Sequence, residues 1–330
     1  MEYRDRRYDC LRGILILLVV IGHSRIDTLH DIIFLFHMPL FFILSGFFLQ
    51  KEKLISRLYL KNKTVTLLVP YFIYLLLDLL FVRRDCSFNS VTRALWGGRA
   101  VTGVYWYITC FLFTLLAFGF LLKHFKENAI KRVILIGGGI AVIESHLVDK
   151  IHLLQSPGIP WNFDVVLMAL VYIGIGYFYK DKIKRLLEDE TVKIDAAAGI
   201  IAVLLGSFCW INYRDGSPFY YFDMKPVCYK ELISAILIPC TFGFVLIRIV
   251  HWMGRVNVMK MVNDFLALCG RATIPIMFMH IPLNHWKDTL GYGRGGFIFI
   301  GVGIPLLFTI VFGKYSVMRK LFGLTELTRR

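Results

Sequence analysis

Arg12 and His23 stand eleven residues apart in an otherwise apolar run, LRGILILLVVIGH. On an α-helix that spacing is three turns plus about 20°, so both side chains share one face, about 16 Å apart along the axis. A guanidinium offers a planar fork matched to phosphate. An imidazole is the side chain whose ordinary pKa suits taking a proton from a hydroxyl near neutrality. Asp9, three residues before Arg12, stands where it could orient the guanidinium. The plainer reading of the pair is an arginine at the lipid headgroups and a histidine closing the helix on the far side. A second histidine, His37, lies in FHMPLFFILSGFFL. There Pro39 removes a main-chain donor and kinks the helix, while Ser45-Gly46 lets another helix or a ligand come close. A hairpin connection would return His37 to the depth of His23. For His37 alone, the plainer role is a hydrogen bond between helices.

Such residues need a scaffold, and the composition says which. The 330 residues are 57% apolar, 15% aromatic and only 18% charged, with a mean hydropathy of +0.63. A soluble domain carries about 25% charge, so soluble, collagen-like, disordered and disulfide-scaffold classes are excluded. Apolar windows of the length that spans a bilayer fall near 11–26, 32–50, 64–82, 104–122, 133–148, 161–179, 194–212, 231–250, 264–282 and 297–313. The expectation is an all-α integral membrane protein, a bundle of about ten transmembrane helices. No connecting loop exceeds about 20 residues, so residues 1–330 are expected to form a single membrane domain.

The net charge of +15 is explained by sidedness rather than by nucleic acid. With the N-terminus inside, the inner segments (Arg4, Arg6 and Arg7 among them) carry 24 Lys and Arg against 10 outside, Arg25 included. Both termini are therefore expected to be cytoplasmic. The first apolar run has the charged-then-apolar order of a signal peptide, but no small-residue cleavage site follows, and it is expected to stay as the first span. The seven cysteines show no C-x-x-C pairing and are expected to be apolar filler, Cys86 and Cys228 being the one pair that outer loops could join. Charged groups within spans are costly and face a cavity or a partner. Here they include Asp78, Glu144, His146, Asp164, Glu231, Asp264, Arg271 and His280. Asp78, Asp164 and Glu144 share the depth of His23, and any of them could orient its ring.

Several of these stretches also carry a family resemblance. R-G-x9-H (Arg12, Gly13, His23), P-L-F-F-x-L-S-G-F (Pro39 to Phe47), L-L-V-P-Y (Leu67 to Tyr71) and W-Y-I-x-x-F-L-F (Trp106 to Phe113) follow one another on successive spans. Together they resemble the membrane acyltransferase 3 family. P-W-N-F-D-x7-Y-x-G-x-G-Y (Pro160 to Tyr177) and G-R-A-T-I-P-I-M-F-M-H-I-P (Gly270 to Pro282) look like its fucose 4-O-acetylase-like branch. The likeness runs along nearly the whole chain.

The resemblance implies an O-acetyltransferase in the bacterial inner (cytoplasmic) membrane, passing an acetyl group from cytoplasmic acetyl-CoA to a sugar hydroxyl of a cell-surface glycan, exopolysaccharide or glycolipid. His23 is then the first choice of base, with His37 and Arg12 completing the catalytic set. CoA is a polyanion, so Arg12, Arg57, Lys61 and Lys63 are candidates for its phosphates, although the loop cations also serve plain retention on the inner side. Where many relatives carry an R-x-x-R element, this loop reads KEKLISRLYLKNK. Ser45, Trp106, Asp164 and His280 are the expected acceptor-side groups, Trp106 and Trp161 being equally suited to the interfacial aromatic belt. No metal and no nucleic-acid partner is expected. The rival class is a polytopic transporter or lipid-linked sugar flippase. It is disfavoured by the want of an internal repeat and by the alignment of Arg12 with His23 above a basic loop.

Overall fold

Each of the ten apolar windows folds as helix in the computed structural model, which describes residues 5–24, 26–101, 103–151, 154–155 and 157–326. Arg4, Arg25, Arg329 and Arg330 of the charge tally lie outside the described residues. The chain opens with α1 (Arg6–Gly22), α2 (Asp27–Phe34), α3 (His37–Phe47), the single turn α4 (Lys51–Leu54) and α5 (Arg57–Leu77), which runs on as a π-helical stretch, Asp78–Arg83. It continues through α6 (Phe88–Trp96), α7 (Tyr105–His124), α8 (Glu127–Ser145), α9 (Val166–Phe178), α10 (Lys180–Glu188) and α11 (Val192–Tyr213). A two-stranded hairpin, β1 (Phe222–Asp223) with β2 (Cys228–Tyr229), precedes α12 (Leu232–Met253). The last elements are α13 (Lys260–Arg271), α14 (Thr273–Leu283), α15 (Lys287–Leu290), α16 (Arg294–Phe312) and α17 (Ser316–Phe322).

Among the described residues, seven helices are long and apolar enough to cross a membrane, and α13 with α14, bent by 82°, make an eighth if taken as one span. α1, of 17 residues, and α8 occupy the first and fifth windows without being among them. The protein is an all-α membrane protein. All seven cysteines are free, Cys86 exposed and Cys228 half-buried.

α1 is the pillar of the bundle, packed most extensively on α13 and also touching α2, α3, α12, α14 and α16. The approach to α13 is so close that a Cβ on Gly13 would overlap the carbonyl of Leu266, and one on Gly270 the carbonyl of Asp9. α3 and α9 meet in the same way, Gly46 against the main chain of Ile173 and Gly176 against that of Ile43. Small residues at such crossings let backbones touch where lipid offers no hydrophobic drive for helices to associate. Gly13 and Gly46 of the two N-terminal motifs are thus accounted for by packing.

Two helices are broken rather than straight. The chain between α2 and α3 leaves the helix at Leu35 and Phe36, and Pro39 occupies the first turn of α3, where a missing donor does least harm. Pro275 holds the equivalent place in α14, after the break at Ala272. At the other end of the bundle Arg248 of α12, 3% exposed, clamps the α10 to α11 connection. Its guanidinium donates to Asp195 and to the carbonyls of Leu186 and Asp189. α11 itself stands largely unburied, with 11% of its apolar window covered, as a lipid-facing helix would.

Candidate functional site

His23 caps the C-terminus of α1, and its Nδ1 lies 2.8 Å from the carbonyl oxygen of Val19. A carbonyl only accepts, so Nδ1 carries the proton and the lone pair is on Nε2. His37, on the first residue of α3, repeats the arrangement with Ile33 O at 2.8 Å, and His280 of α14 repeats it with Ile276 O at 2.9 Å. Main-chain carbonyls therefore fix the tautomer of three imidazoles. It is the carbonyl of Val19, and not a carboxylate, that orients the His23 ring through Nδ1, unlike the sequence expectation. Asp78 is bonded to Arg83 at 2.9 Å, and Asp164 accepts from the amide of Val165 at 3.0 Å.

His23 and His37 face one cavity of about 80 Å³, together with Ile16, Val19, Phe34, Met38, Trp106, Tyr107 and Thr273. Phe34 stands between the two imidazoles, its ring centroid 5.6 Å from that of His23 and 4.7 Å from that of His37. The break between α2 and α3 is what brings His37 round to His23. The cavity is well below the ~300–1,000 Å³ of a pocket for a drug-sized ligand, so in this conformation it takes a reacting group rather than a whole sugar. His280 does not line it but packs edge-on against His23, centroids 5.1 Å apart, and is fully buried.

The hairpin closes one end of the cavity. Asp223 and Lys225 both line it. Lys225 donates through Nζ to the carbonyls of Val101 (3.3 Å) and Gly103 (3.0 Å), just before α7, and its own carbonyl accepts from Asn162 Nδ2 at 3.1 Å. The Asp223 carboxylate accepts from the amide of Lys225 at 3.0 Å, and burial pushes its pKa up to about 6. His30 of α2 adjoins this end, stacked on Phe34 at 3.9 Å with Nδ1 on the carbonyl of Gly22. Sequence reasoning missed Asp223, Lys225 and His30. The first two lie in a loop without periodicity, where Lys225 counts only as one more loop cation.

Tyr107 lines the cavity, and its hydroxyl interacts with the Ser45 side chain and feels the charge of Arg12. Arg12 stacks over Phe48 at 4.8 Å and has Asp9 at 3.9 Å, the neighbour expected from its spacing. Lys63 of α5 is half-buried and senses the charge of Arg12. Arg57 and Lys61, one turn apart, are exposed on another face of α5. His23, His37 and Trp106 thus meet at one cavity, Ser45, Arg12 and Lys63 extend from it, and Asp164, Arg57 and Lys61 stand apart. Trp161, also apart, donates to Leu95 O, His146 faces the carbonyl of Lys230, and Asp264 pairs with Arg6. Among the described residues no three His, Cys, Asp or Glu side chains converge as metal ligands would.

Comparison with known proteins finds a match to a family described as an acyltransferase domain, over residues 5–319. The nodulation protein NolL of Sinorhizobium fredii is 29% identical over 157 residues, 42% of this chain and 42% of that protein. The similar stretch therefore spans less than half of that relative. No solved structure matches.

Proposed function

Because the chain belongs to the membrane acyltransferase 3 family, we propose that it moves an acetyl group from cytoplasmic acetyl-CoA to a sugar hydroxyl of a cell-surface glycan, exopolysaccharide or glycolipid. The observation that carries this reading is the pair of imidazoles on one cavity, each with Nδ1 bonded to a main-chain carbonyl and Nε2 as the basic nitrogen. His23 Nε2 takes the proton of the acceptor hydroxyl as its oxygen attacks the thioester carbonyl. The C–S bond then breaks, the new C–O ester remains, and the proton passes to the sulfur of the departing CoA. The Tyr107 hydroxyl is the donor suited to the oxyanion of the tetrahedral intermediate.

Arg12 and Lys63 hold the phosphates of CoA, and Arg57 and Lys61 draw the polyanion to the membrane surface. His37, Ser45 and Trp106 flank the path between donor and acceptor, and His280 buttresses His23 from behind. The bundle crosses the inner membrane of a bacterium ten times with both termini cytoplasmic. The charge asymmetry of its connecting segments supports that orientation. The two later motifs favour the fucose 4-O-acetylase-like branch. Isothermal titration of the purified protein with CoA tests the donor: binding is expected, weakened by Arg12→Ala and partly restored by Arg12→Lys, which keeps charge but loses the fork. If neither CoA nor acetyl-CoA binds, the reading of the donor fails.

A further inference from the structure

The hairpin between α11 and α12 is held in a shape its sequence does not favour. Val227 adopts φ 58°, a left-handed conformation that a β-branched residue takes only under constraint. Trp161 and Asn162, the latter bonded to the hairpin through Lys225 O, have φ 56° and 53°. Strained backbone of this kind costs about 1–3 kcal/mol per residue and gathers where a site must be shaped. Here two such residues, Val227 within the hairpin and Asn162 bonded to it, adjoin the tip that carries Asp223 and Lys225 to the wall of the His23 cavity. Phe222, Met224, Val227 and Tyr229 are each 1% exposed, so the hairpin is packed in place rather than draped over the bundle. A carboxylate and an ammonium brought into a small cavity, beside the basic nitrogen that activates a hydroxyl, match the donors and acceptors of a polyol.

Building on the acyltransferase reading, we propose that Asp223 and Lys225 form the acceptor subsite, Asp223 accepting hydrogen bonds from a hydroxyl next to the one acylated and Lys225 donating to its oxygen. The ligand class is a neutral glycosyl unit with adjacent free hydroxyls, of which the cavity takes only the reacting edge. Hydrogen bonding to a charged partner makes such a site reject an analogue that lacks the hydroxyl. Asp223 and Lys225 would thus be specificity determinants, while His23 keeps the chemistry.

The test uses the full-length protein with a panel of methyl glycosides as probes, each beside its deoxy analogues. Binding is read by thermal shift, and acetyl transfer from acetyl-CoA by mass spectrometry. In the wild type, removing the neighbouring hydroxyl of the best probe is expected to lower binding and kcat/KM by about tenfold or more. In Asp223→Asn and Lys225→Gln, parent and deoxy probe should become nearly equal, a loss of discrimination that a merely structural role would not produce. Asp223→Glu, which keeps the charge, should retain part of it. If Asp223→Asn and Lys225→Gln discriminate the deoxy probe as the wild type does, the proposal is overturned. Should the wild type bind glycosides with this discrimination yet transfer nothing from acetyl-CoA, the subsite stands and the donor reading falls.

Discussion

A basic nitrogen on His23 is set by one hydrogen bond to its own helix, so its loss should affect chemistry far more than folding. His23→Ala is expected to lower acetyl transfer by about two to four orders of magnitude while the protein still inserts and purifies; activity within threefold of wild type would refute the assignment. His37→Ala is the informative comparison, because His37 has the same tautomer and cavity. Were it alone inactive, the two roles would be exchanged. Asp223 adds a pH dependence. Its folded pKa of about 6 lies above the ordinary 3.8, so it loses its charge as pH falls through 6, and acceptor binding should weaken between pH 7 and 5. His30 and Asp31 of α2 act on the same carboxylate, as does Lys225, and the acceptor KM of Asp223→Asn over that range isolates the part that Asp223 contributes. The meeting of His23 and His37 at one cavity was legible, because the proline break that turns α3 acts locally. Asp223 and Lys225 were not, since their place depends on a fold-back of some 200 residues that no local pattern encodes.

At the scale of elements, each of the ten apolar windows holds helix, whereas the breaks between helices were only half visible. Pro39 announces the break before α3, and Pro275 should have announced the one before α14 by the same physics, yet the window 264–282 reads as an unbroken apolar stretch. The bend there decides the site, because it lets α14 bring His280 against His23 while α13 runs along α1. Depth alone likewise suggested that a carboxylate orients His23. Periodicity does not show which buried acid already has a partner, and Asp78 has Arg83. The crossing of α1 and α13 yields a prediction of its own. Gly13→Ala puts a methyl into the carbonyl of Leu266, main chain that cannot turn aside, and should destabilise the protein by about 1–3 kcal/mol. Gly199→Ala on α11 meets nothing within 4 Å and should be neutral or slightly stabilising. Thermal unfolding of the two purified variants decides, and equal midpoints would show that α1 and α13 do not touch as described.

Taken whole, the bundle has two unlike ends: one gathers Arg12, Lys63 and the Arg248 clamp, the other the hairpin with Asp223 and Lys225. Arg12 and His23 lie about 16 Å apart along α1, so on the proposed reading a donor held at the basic end extends its thioester that far to reach His23. If the basic end faces the cytoplasm, as the excess of Lys and Arg in the segments assigned inside supports, the acetyl group changes sides during transfer, without transport of the acceptor. Sidedness is therefore a statement about mechanism. Asn89, Ser217 and Asn62 are exposed, the first two in segments assigned to the hairpin side and the third near the start of α5. In a background freed of the seven native cysteines, cysteine at position 89 or 217 should react with an impermeant maleimide in intact cells, and cysteine at position 62 only after lysis. Labelling at position 62 in intact cells would invert the bundle, and with it the faces from which donor and acceptor approach.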